Sequence, residues 1–596
     1  MADRVALIDD ALLNARPAHT RDGHLSFRIS ADDGQPAWLG RTSIPLVRAE
    51  VLLEKFDSGT GNVLLPGLGQ GMEVSLLLLR LGSHRAVFVW ETQAEALALA
   101  MRLHDWHGAI ATGRLKFLVC SLEQLAQVLP DWLDRHPGYL CPERIMMWPW
   151  SAPGELAACR SAVQRAYEQT DRRRGDLLAW EREEFKAQVR ARVESSKTPG
   201  HAFATGPLVI MSLHVREDLR AVGESLAAGA AAGGLQVVEV LVRGPADLHP
   251  LGRLRKLRTA CDEAPSAAVL LDCGRQQVQE LCPRPIPVLS WVGPAALPTL
   301  VAGLADGDGV AATTRRVAER LKAAGWNRGE IPVVPYPCVA DLSEAGVVDR
   351  ERPIDVLLVG DIGPTDPEPF GYSLHTHCQL WKTASELIRA RIETFTEAQG
   401  VGLFARGEQK CGVRLEETPL RRTMVEAIGT FVADTLLALF LAQPLSEMGL
   451  VFRVAGRGWE HSNLATLAVP SDTHAGLREV FRQSKLVVWA NVTGEVSLVP
   501  LMAAGSGAVV LAKSHPRDAQ PGGLITMLEP GKEMLSFNLA RELVAAIRQL
   551  LARVEMRARL VSAARSRCLS DHLPQHRIKA IQIAASSYSA TPPEQL

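Results

Sequence analysis

The strongest constraint on the fold is a repeated alternation of short apolar runs with longer amphipathic segments along the chain. The apolar runs have the length of buried strands, and the segments between them have the period of helices. Strands that are joined by helices pair in parallel, because a parallel neighbour needs a long crossover. The pattern therefore predicts an α/β protein, with strands at residues 62–66, 86–90, 115–119, 207–211, 236–240, 268–271, 355–359, 450–455, 486–490, 507–511 and 524–528.

The grouping of these runs suggests how the 596 residues divide into domains. Residues 1–150 contain a strand–helix–strand unit typical of a Rossmann-like domain, whereas residues 151–200 are polar and helical in pattern. Residues 201–335 and 336–560 each repeat the alternation, and residues 561–596 are expected to form a C-terminal helix and tail. We therefore expect two doubly wound Rossmann-like domains, preceded by a third Rossmann-like domain and a helical connector.

The composition argues against several classes of function. A formal net charge of −1 gives no basis for a nucleic-acid partner. No window of about 18 residues is continuously apolar, so we expect no membrane span, and the N-terminus lacks the apolar core of a secretory signal. The ten cysteines form neither a CxxC pair nor a zinc-like spacing, which favours a reducing cytoplasm and no metal site.

Residues 494–511 join a polar turn, a short helix rich in small residues and an apolar strand. A helix N-terminus offers free N–H groups to a diphosphate, and small residues let the helix pack closely on a sheet. This stretch resembles the donor-site signature of the group-1 glycosyltransferases of the GT-B type, and the CgeB-like (spore maturation protein-like) branch is the most similar in pattern. Further segments that agree in order are residues 310–325, 331–337, 355–363 and 456–459.

The resemblance covers about residues 200–560 and implies a glycosyltransferase built from two Rossmann-like domains. The domain at residues 336–560 would hold a nucleotide-sugar donor, either a UDP-sugar or a GDP-sugar. The domain at residues 201–335 would hold the acceptor, for which a protein, a glycan and a small molecule all remain open. The ligands of such sheets bind at the carboxyl ends of the strands, here in the cleft between the domains. Enzymes of this type need no essential metal, so none is expected.

Five residues in the resembling segments are candidates for donor binding. Gly360 and Gly363 follow the first strand of the donor domain, where they either bring the backbone close to phosphate or form a tight turn without a ligand. Gly456 and Arg457 follow the next strand, and Arg457 either neutralises the diphosphate by a bidentate contact or is an exposed loop residue. Ser497 either caps the short helix alone or also donates to phosphate.

Two residues are candidates for the chemistry itself. His214 follows the first strand of residues 201–335, at the expected mouth of the cleft, and is a candidate general base. Glu495 is a candidate for contact with the sugar or ribose. The resembling family usually places a glutamate just before the small-residue stretch, whereas this chain has Pro500 or Met502 there. That difference favours a further hypothesis, a degenerate transferase that serves as a binding or assembly factor.

The N-terminal unit carries a glycine-rich turn of its own. Gly67, Gly69 and Gly71 follow a strand, and Glu91 ends the next strand about 20 residues later. Glycines in such a turn allow close approach to a nucleotide, and the acid holds ribose hydroxyls. The segment resembles the S-adenosylmethionine motif of class I methyltransferases, which makes a methyltransferase the alternative enzyme. A non-catalytic domain that presents an acceptor protein is equally open.

Overall fold

Three parallel sheets organise the protein. The computed structural model describes residues 15–30, 35–54, 56, 59, 61–146, 153–195, 206–261, 265–283, 286–294, 308–340, 352–415, 419–471 and 473–589. Within these ranges, seventeen strands form one antiparallel and three parallel sheets. The prediction of an α/β protein with Rossmann-like units is confirmed.

The N-terminal region combines a small antiparallel sheet with a four-stranded parallel sheet. Its strands are β1 Arg16–His19, β2 Leu25–Ser30, β3 Pro36–Trp38, β4 Asn62–Pro66, β5 Val87–Glu91, β6 Leu115–Val119 and β7 Pro142–Ile145. Its helices are α1 Pro45–Glu54, α2 Met72–Arg80, α3 Ala94–Leu103, α4 His107–Ala111 and α5 Leu122–Arg135. The parallel strands lie in the order β6-β5-β4-β7. Strand β7 was not predicted from the sequence, because Glu143 and Arg144 are exposed on this edge strand and leave no apolar run.

A single helix of 43 residues, α6 Pro153–Ser195, connects the first and second parallel sheets. Its first half contributes Val163 to the apolar cluster around Phe88, and its second half contributes Phe185 to the cluster around Met211. The helix therefore belongs to two cores at once, and it lies in the segment where the sequence predicts a helical connector. The expected domain boundaries after residues 150 and 200 lie outside the described residues.

The second parallel sheet is doubly wound. Its strands are β8 Leu208–Ser212, β9 Val237–Leu241, β10 Ala267–Leu271, β11 Val288–Val292 and β12 Gly309–Ala312. Its helices are α7 Glu217–Ala232, α8 Pro250–Ala260 and α9 Arg315–Ala323. The strand order β12-β11-β10-β8-β9 reverses beside β8, the first strand, which is the arrangement that opens a ligand crevice. The chain then crosses to the third sheet through residues 331–340.

An all-helical insertion separates the first two strands of the third sheet, β13 Ile354–Val359 and β14 Phe452–Ala455. It consists of α10 His375–Arg389, α11 Gly400–Cys411, α12 Pro419–Ala427 and α13 Ala433–Ser446, with a π-helical turn at Ile428–Val432. The stretch Leu420–Ser446 is long and apolar enough to cross a membrane, which the sequence analysis did not anticipate. In the structure, 61% of its most apolar window is buried inside the protein.

The rest of the third sheet consists of β15 Ser484–Trp489, β16 Val509–Lys513 and β17 Leu535–Phe537, with helices α14 His474–Gln483, α15 Val499–Gly505 and α16 Leu524–Met527. All five strands are parallel, in the order β14-β13-β15-β16-β17. The strand that we expected at residues 524–528 is wrong. Those residues form the short helix α16, because Leu524 and Met527 are buried together on one side and an apolar run that short suits either element.

The C-terminal helices return the chain to the second sheet. They are α17 Ala540–Ala552, α18 Val554–Asp571 and α19 Pro574–Ser589, and the expected boundary after residue 560 lies inside α18. Ile578 and Ile581 of α19 are buried in the same apolar cluster as Ile210 and Trp291 of the second sheet. The second α/β unit is therefore completed by the last helix of the chain.

Candidate active site

Two adjoining cavities lie at the carboxyl ends of the strands. The larger, of about 1280 Å³, opens beside β13 and β15, where the strand order of the third sheet reverses. The smaller, of about 340 Å³, lies between the second and third sheets, with Arg216 and Tyr336 on one side and Glu495 on the other. Four residues line both cavities, which makes them one continuous site: Asp434, Asn491, Ser497 and Val499.

The glycine loop after β13 forms part of the floor of the larger cavity. Its N–H groups are already engaged, because Gly360 donates to the carbonyl of Ala455 at 3.0 Å and Gly363 donates to Thr435 Oγ1 at 3.0 Å. A Cβ at Gly360 would come no closer than 3.7 Å to Ala438, so the loop leaves room beside it. Gly360 and Gly363 thus lie at the predicted place, but they do not present a row of free N–H groups to a phosphate.

The turn after β14 packs directly on this loop. Gly456 has a φ of +123°, and a Cβ there would lie 2.4 Å from the carbonyl oxygen of Gly360. Close contact within the chain explains this glycine without a ligand. Arg457 lines the larger cavity at its rim, where its guanidinium donates to Asp361 at 2.6 and 2.9 Å. Its side chain is 84% exposed, so this ion pair is open to exchange for another anion.

Ser497 and Glu495 both lie in the turn before α15, but they make different contacts. Ser497 accepts a hydrogen bond from the Val499 N–H at 3.2 Å at the start of α15, and it also lines both cavities. Glu495 lines only the smaller cavity, and its carboxylate lies 2.7 Å from Arg316 of α9. Burial raises the pKa of Glu495, while Arg316 and Arg320 lower it. Glu495 therefore links the two α/β units rather than reaching the larger cavity.

Asp434 lines both cavities but was not predicted from the sequence. It stands in the first turn of α13, immediately after the π-helical turn, and it is half-buried at the junction of the two cavities. Its Oδ1 accepts a hydrogen bond from the Val492 N–H at 2.8 Å. Burial raises the pKa of Asp434 to about 7. The signal in the sequence was a lone acid within a stretch from residue 431 to residue 442 in which Thr435 is the only other polar residue.

One part of this site lies in a segment that is similar to a known protein family. Residues 438–583 match the glycosyl transferase-like family model. No curated protein matches the chain in sequence. The glycosyl transferase-like segment contains Arg457, Glu495 and Ser497, and it begins four residues after Asp434. It covers neither the Gly360 loop nor the second sheet, so both lie outside the match.

Solved structures that resemble the chain include TarM, which is 10% identical over 54% of this chain, with a TM-score of 0.29. The match covers 55% of TarM, so the chain spans about half of that protein's length. A glycosyltransferase from Rickettsia africae is 9% identical, covers 64% of this chain and 98% of its own, and has a TM-score of 0.34. Sucrose-phosphate synthase from Thermosynechococcus elongatus is 12% identical, with coverages of 65% and 100% and a TM-score of 0.37.

His214 lies just after β8, at the carboxyl edge where the sequence analysis expected it. Its Nε2 is 2.7 Å from the backbone carbonyl of Asp272, a residue with a φ of +54° at the end of β10. The Asp272 carboxylate is buried and accepts from Arg216 at 3.1 Å. Arg216 lines the smaller cavity, whereas His214 lines neither of the two cavities. His214 therefore lies in the wall behind Arg216 and outside both cavities.

The glycine-rich turn of the N-terminal sheet is filled by the chain itself. Glu91 accepts from the N–H of Leu68 at 2.8 Å with one oxygen, and from the N–H groups of Thr92 and Gln93 with the other. The remaining space is closed on two sides. A Cβ at Gly71 would lie 2.7 Å from Trp106, and Gly40 packs against the backbone of Gly69 and Gln70.

The methyltransferase alternative gains no support from this geometry. Gly67, Gly69 and Gly71 have left-handed φ values that suit a tight turn, and the carboxylate of Glu91 is already committed to that turn. A ribose would have to displace the backbone N–H groups that Glu91 now binds. Among the described residues, no group of three or more His, Cys, Asp or Glu side chains is placed to hold a metal ion.

Proposed function

We propose that the protein transfers a sugar from a nucleotide-sugar donor to an acceptor. The observation that carries this proposal is the pair of adjoining cavities at the carboxyl edge of two doubly wound sheets. Two separate but connected spaces suit two substrates that must meet, and the switch point of a doubly wound sheet suits a nucleotide. The glycosyl transferase-like match to residues 438–583 supports the same reaction class.

The donor, a UDP- or GDP-sugar, belongs in the larger cavity. Apolar walls there include Phe370 and Phe431, and Phe431 is 67% exposed, so a nucleobase would bury an aromatic face against them. Among the described residues that line this cavity, Arg457 is the only lysine or arginine. It would exchange Asp361 for the diphosphate as the leaving group gains charge. This donor site would work without an essential metal.

The acceptor belongs in the smaller cavity, between the second and third sheets. Arg216, Asp218, His474 and Thr493 give this cavity a polar lining that suits hydroxyl groups. A protein side chain, a glycan and a small molecule all remain open as acceptors. The likeness to the CgeB-like branch is part of this proposal and does not identify the acceptor.

Thermal unfolding with added nucleotides tests the proposal. UDP or GDP should raise the melting temperature, because a ligand that binds only the folded state stabilises it, and S-adenosylmethionine should not. Arg457→Ala should weaken the nucleotide response, whereas Arg243→Ala, an exposed arginine of the second sheet's domain, is the matched control. Release of nucleoside diphosphate from UDP-glucose, UDP-N-acetylglucosamine and GDP-mannose then tests turnover. Stabilisation by S-adenosylmethionine alone would overturn the proposal, and no response to any compound would favour the binding or assembly factor.

A further inference from the structure

We propose that the smaller cavity binds an uncharged sugar residue as the acceptor, with the hydroxyl of Tyr336 as a group that holds it. This inference rests on the proposed function and deepens it by naming the class of acceptor. Tyr336 belongs to the segment at residues 331–340, through which the chain crosses from the second sheet to the third, and it lines only the smaller cavity. Its side chain can therefore contact the acceptor from outside the donor cavity.

The hydroxyl of Tyr336 is a hydrogen-bond donor without a partner. The residue is only 9% exposed, and its ring packs on Trp291 with the ring centroids 5.6 Å apart. Within the described part of the chain, no group forms a hydrogen bond with this hydroxyl. Burial raises the pKa of Tyr336 well above its ordinary value, so the hydroxyl keeps its proton. A largely buried donor of this kind is stabilised when an oxygen of a ligand accepts from it.

Gly293, which follows β11, leaves room for this hydroxyl. A Cβ at residue 293 would lie 2.1 Å from the Tyr336 hydroxyl and 3.2 Å from Asp272 Oδ1. The N–H of Gly293 donates to the same Oδ1 at 2.5 Å, which fixes the backbone at this point. The φ of Gly293 is not positive, so the backbone itself does not require a glycine here. A larger residue would instead displace the hydroxyl of Tyr336.

Arg216 is the only lysine or arginine among the described residues that line the smaller cavity, and its donors are already used. Its Nε and Nη2 both donate to the carboxylate of Asp218, and its Nη1 donates to Asp272 at 3.1 Å. Two carboxylates therefore surround one guanidinium. A phosphate or a carboxylate on the acceptor would have to displace one of them, whereas a hydroxyl group needs no such exchange.

Carboxylates outnumber cations along the lining of the smaller cavity. Asp218, Asp434 and Glu495 all belong to this lining. His474 adds no positive charge near neutral pH, since burial lowers its pKa to about 4. The excess of negative charge repels an anionic acceptor. An amine is not favoured either, because Asp218 and Glu495 already have arginine partners.

The polar groups of this cavity are spread over three elements, which suits a ligand with several hydroxyl groups. Besides Tyr336 of the crossover segment, they include the imidazole of His474 at the start of α14 and the hydroxyl of Ser497 in the turn before α15. The same lining includes Pro294 and Leu477, which offer apolar surface to the carbons of a ring. A serine or threonine side chain of a protein carries one hydroxyl, whereas a sugar residue carries several on one ring.

The first test uses methyl glycosides of glucose, galactose and mannose in which C6 carries a hydroxyl, a carboxylate, a phosphate or an amine. Each glycoside is offered with the sugar donors named above, and transfer is followed by the release of nucleoside diphosphate and by the mass of the product. We expect at least one uncharged glycoside to be used, and its charged counterparts to react at least tenfold more slowly. The four versions of one sugar differ at a single carbon, so they serve as controls for one another.

The second test concerns Tyr336 itself. Tyr336→Phe should raise the KM for the uncharged glycoside about tenfold, with a smaller effect on kcat, because one hydrogen bond to the bound acceptor is lost. Tyr372→Phe is the matched control, since Tyr372 is 5% exposed and lines neither cavity. Gly293→Ala should also raise the KM, but it should add little in combination with Tyr336→Phe, because its Cβ acts by displacing the hydroxyl.

The outcomes separate this inference from the function on which it rests. Equal or faster use of a charged glycoside, or an unchanged KM in Tyr336→Phe, overturns the inference and leaves sugar transfer standing. Turnover of a donor by water alone, with none of the glycosides used, overturns it as well. If Tyr336→Phe does not fold, the charge series and Gly293→Ala still decide the result. If the wild-type protein neither responds to UDP or GDP nor turns over any donor, the function and the acceptor class fall together.

Discussion

Arg316 and Glu495 form an ion pair at 2.7 Å across the cleft between the second and third sheets. Arg316 belongs to α9, and Glu495 to the turn after β15. The same guanidinium lies 2.9 Å from Glu397, which follows the helical insertion's first helix. The arginine side chain is only 7% exposed. One buried cation therefore holds two carboxylates of the neighbouring unit, and it does so beside the smaller cavity.

Arg316→Ala should destabilise the protein by about 3 kcal/mol, because the change removes the nearest cation from the largely buried Glu495 and leaves only Arg320 at 4.0 Å. Arg457→Ala, which removes the exposed pair with Asp361, should cost less than about 1 kcal/mol. Urea unfolding of both variants measures the difference. Equal losses in the two variants would show that the pair across the cleft adds nothing beyond a surface contact.

Gly458→Ala should disrupt the floor of the larger cavity. Gly458 has a φ of +90°, and a Cβ would lie 1.9 Å from the carbonyl oxygen of Ile362, so both the backbone and the loop must shift. Gly360→Ala is the matched control on the facing loop, since its nearest neighbour would be 3.7 Å away. We expect the melting temperature to fall clearly for Gly458→Ala and little for Gly360→Ala. A stable Gly458→Ala protein would contradict the close packing of the two loops.

Asp434→Asn should stabilise the protein at alkaline pH. The folded pKa of about 7 lies above the ordinary value of 3.8, so between these values the folded state holds more protons than the unfolded state. Stability therefore falls as pH rises through this window, by an amount on the order of 4 kcal/mol in full. Asparagine keeps an oxygen for the Val492 N–H but does not titrate. In paired urea unfolding curves, the gain in free energy of unfolding of the variant over wild type should be larger at pH 8 than at pH 5. An equal gain at both pH values would show that the pKa of Asp434 in the folded protein is close to its ordinary value.

Glu91→Ala should lower stability by about 1–3 kcal/mol without affecting nucleoside diphosphate release, because three backbone N–H groups lose their acceptor far from the two cavities. Thermal unfolding and a donor turnover assay on the same preparation check the two halves of this prediction. If Glu91→Ala lost turnover while its stability stayed unchanged, the glycine-rich turn of the first parallel sheet would contribute to the reaction.

The alternating strands and helices could be predicted from the sequence. Features that depend on packing between distant segments could not. Buried strands such as β4 and β13 are continuous apolar runs, which local pattern reveals. The helical insertion carries no such repeat, so Asp434 was hidden inside an apolar helix. It follows a π-helical turn and accepts a hydrogen bond from the N–H of Val492, which lies 58 residues further along the chain. Glu495 was predicted as a candidate site residue and lines the smaller cavity. Its partner Arg316 belongs to the other α/β unit, which local sequence does not indicate.

The placement of α19 on the second sheet bears on how this chain folds during synthesis. Ile578 and Ile581 complete a core whose strands begin with Leu208, so the ribosome has made the whole third sheet before the second unit can close. Until then, the apolar surface around Leu208 and Leu289 lacks its cover. We therefore expect this unit to close late, and a released chain that ends before residue 574 should be far more sensitive to protease than one that ends after residue 589.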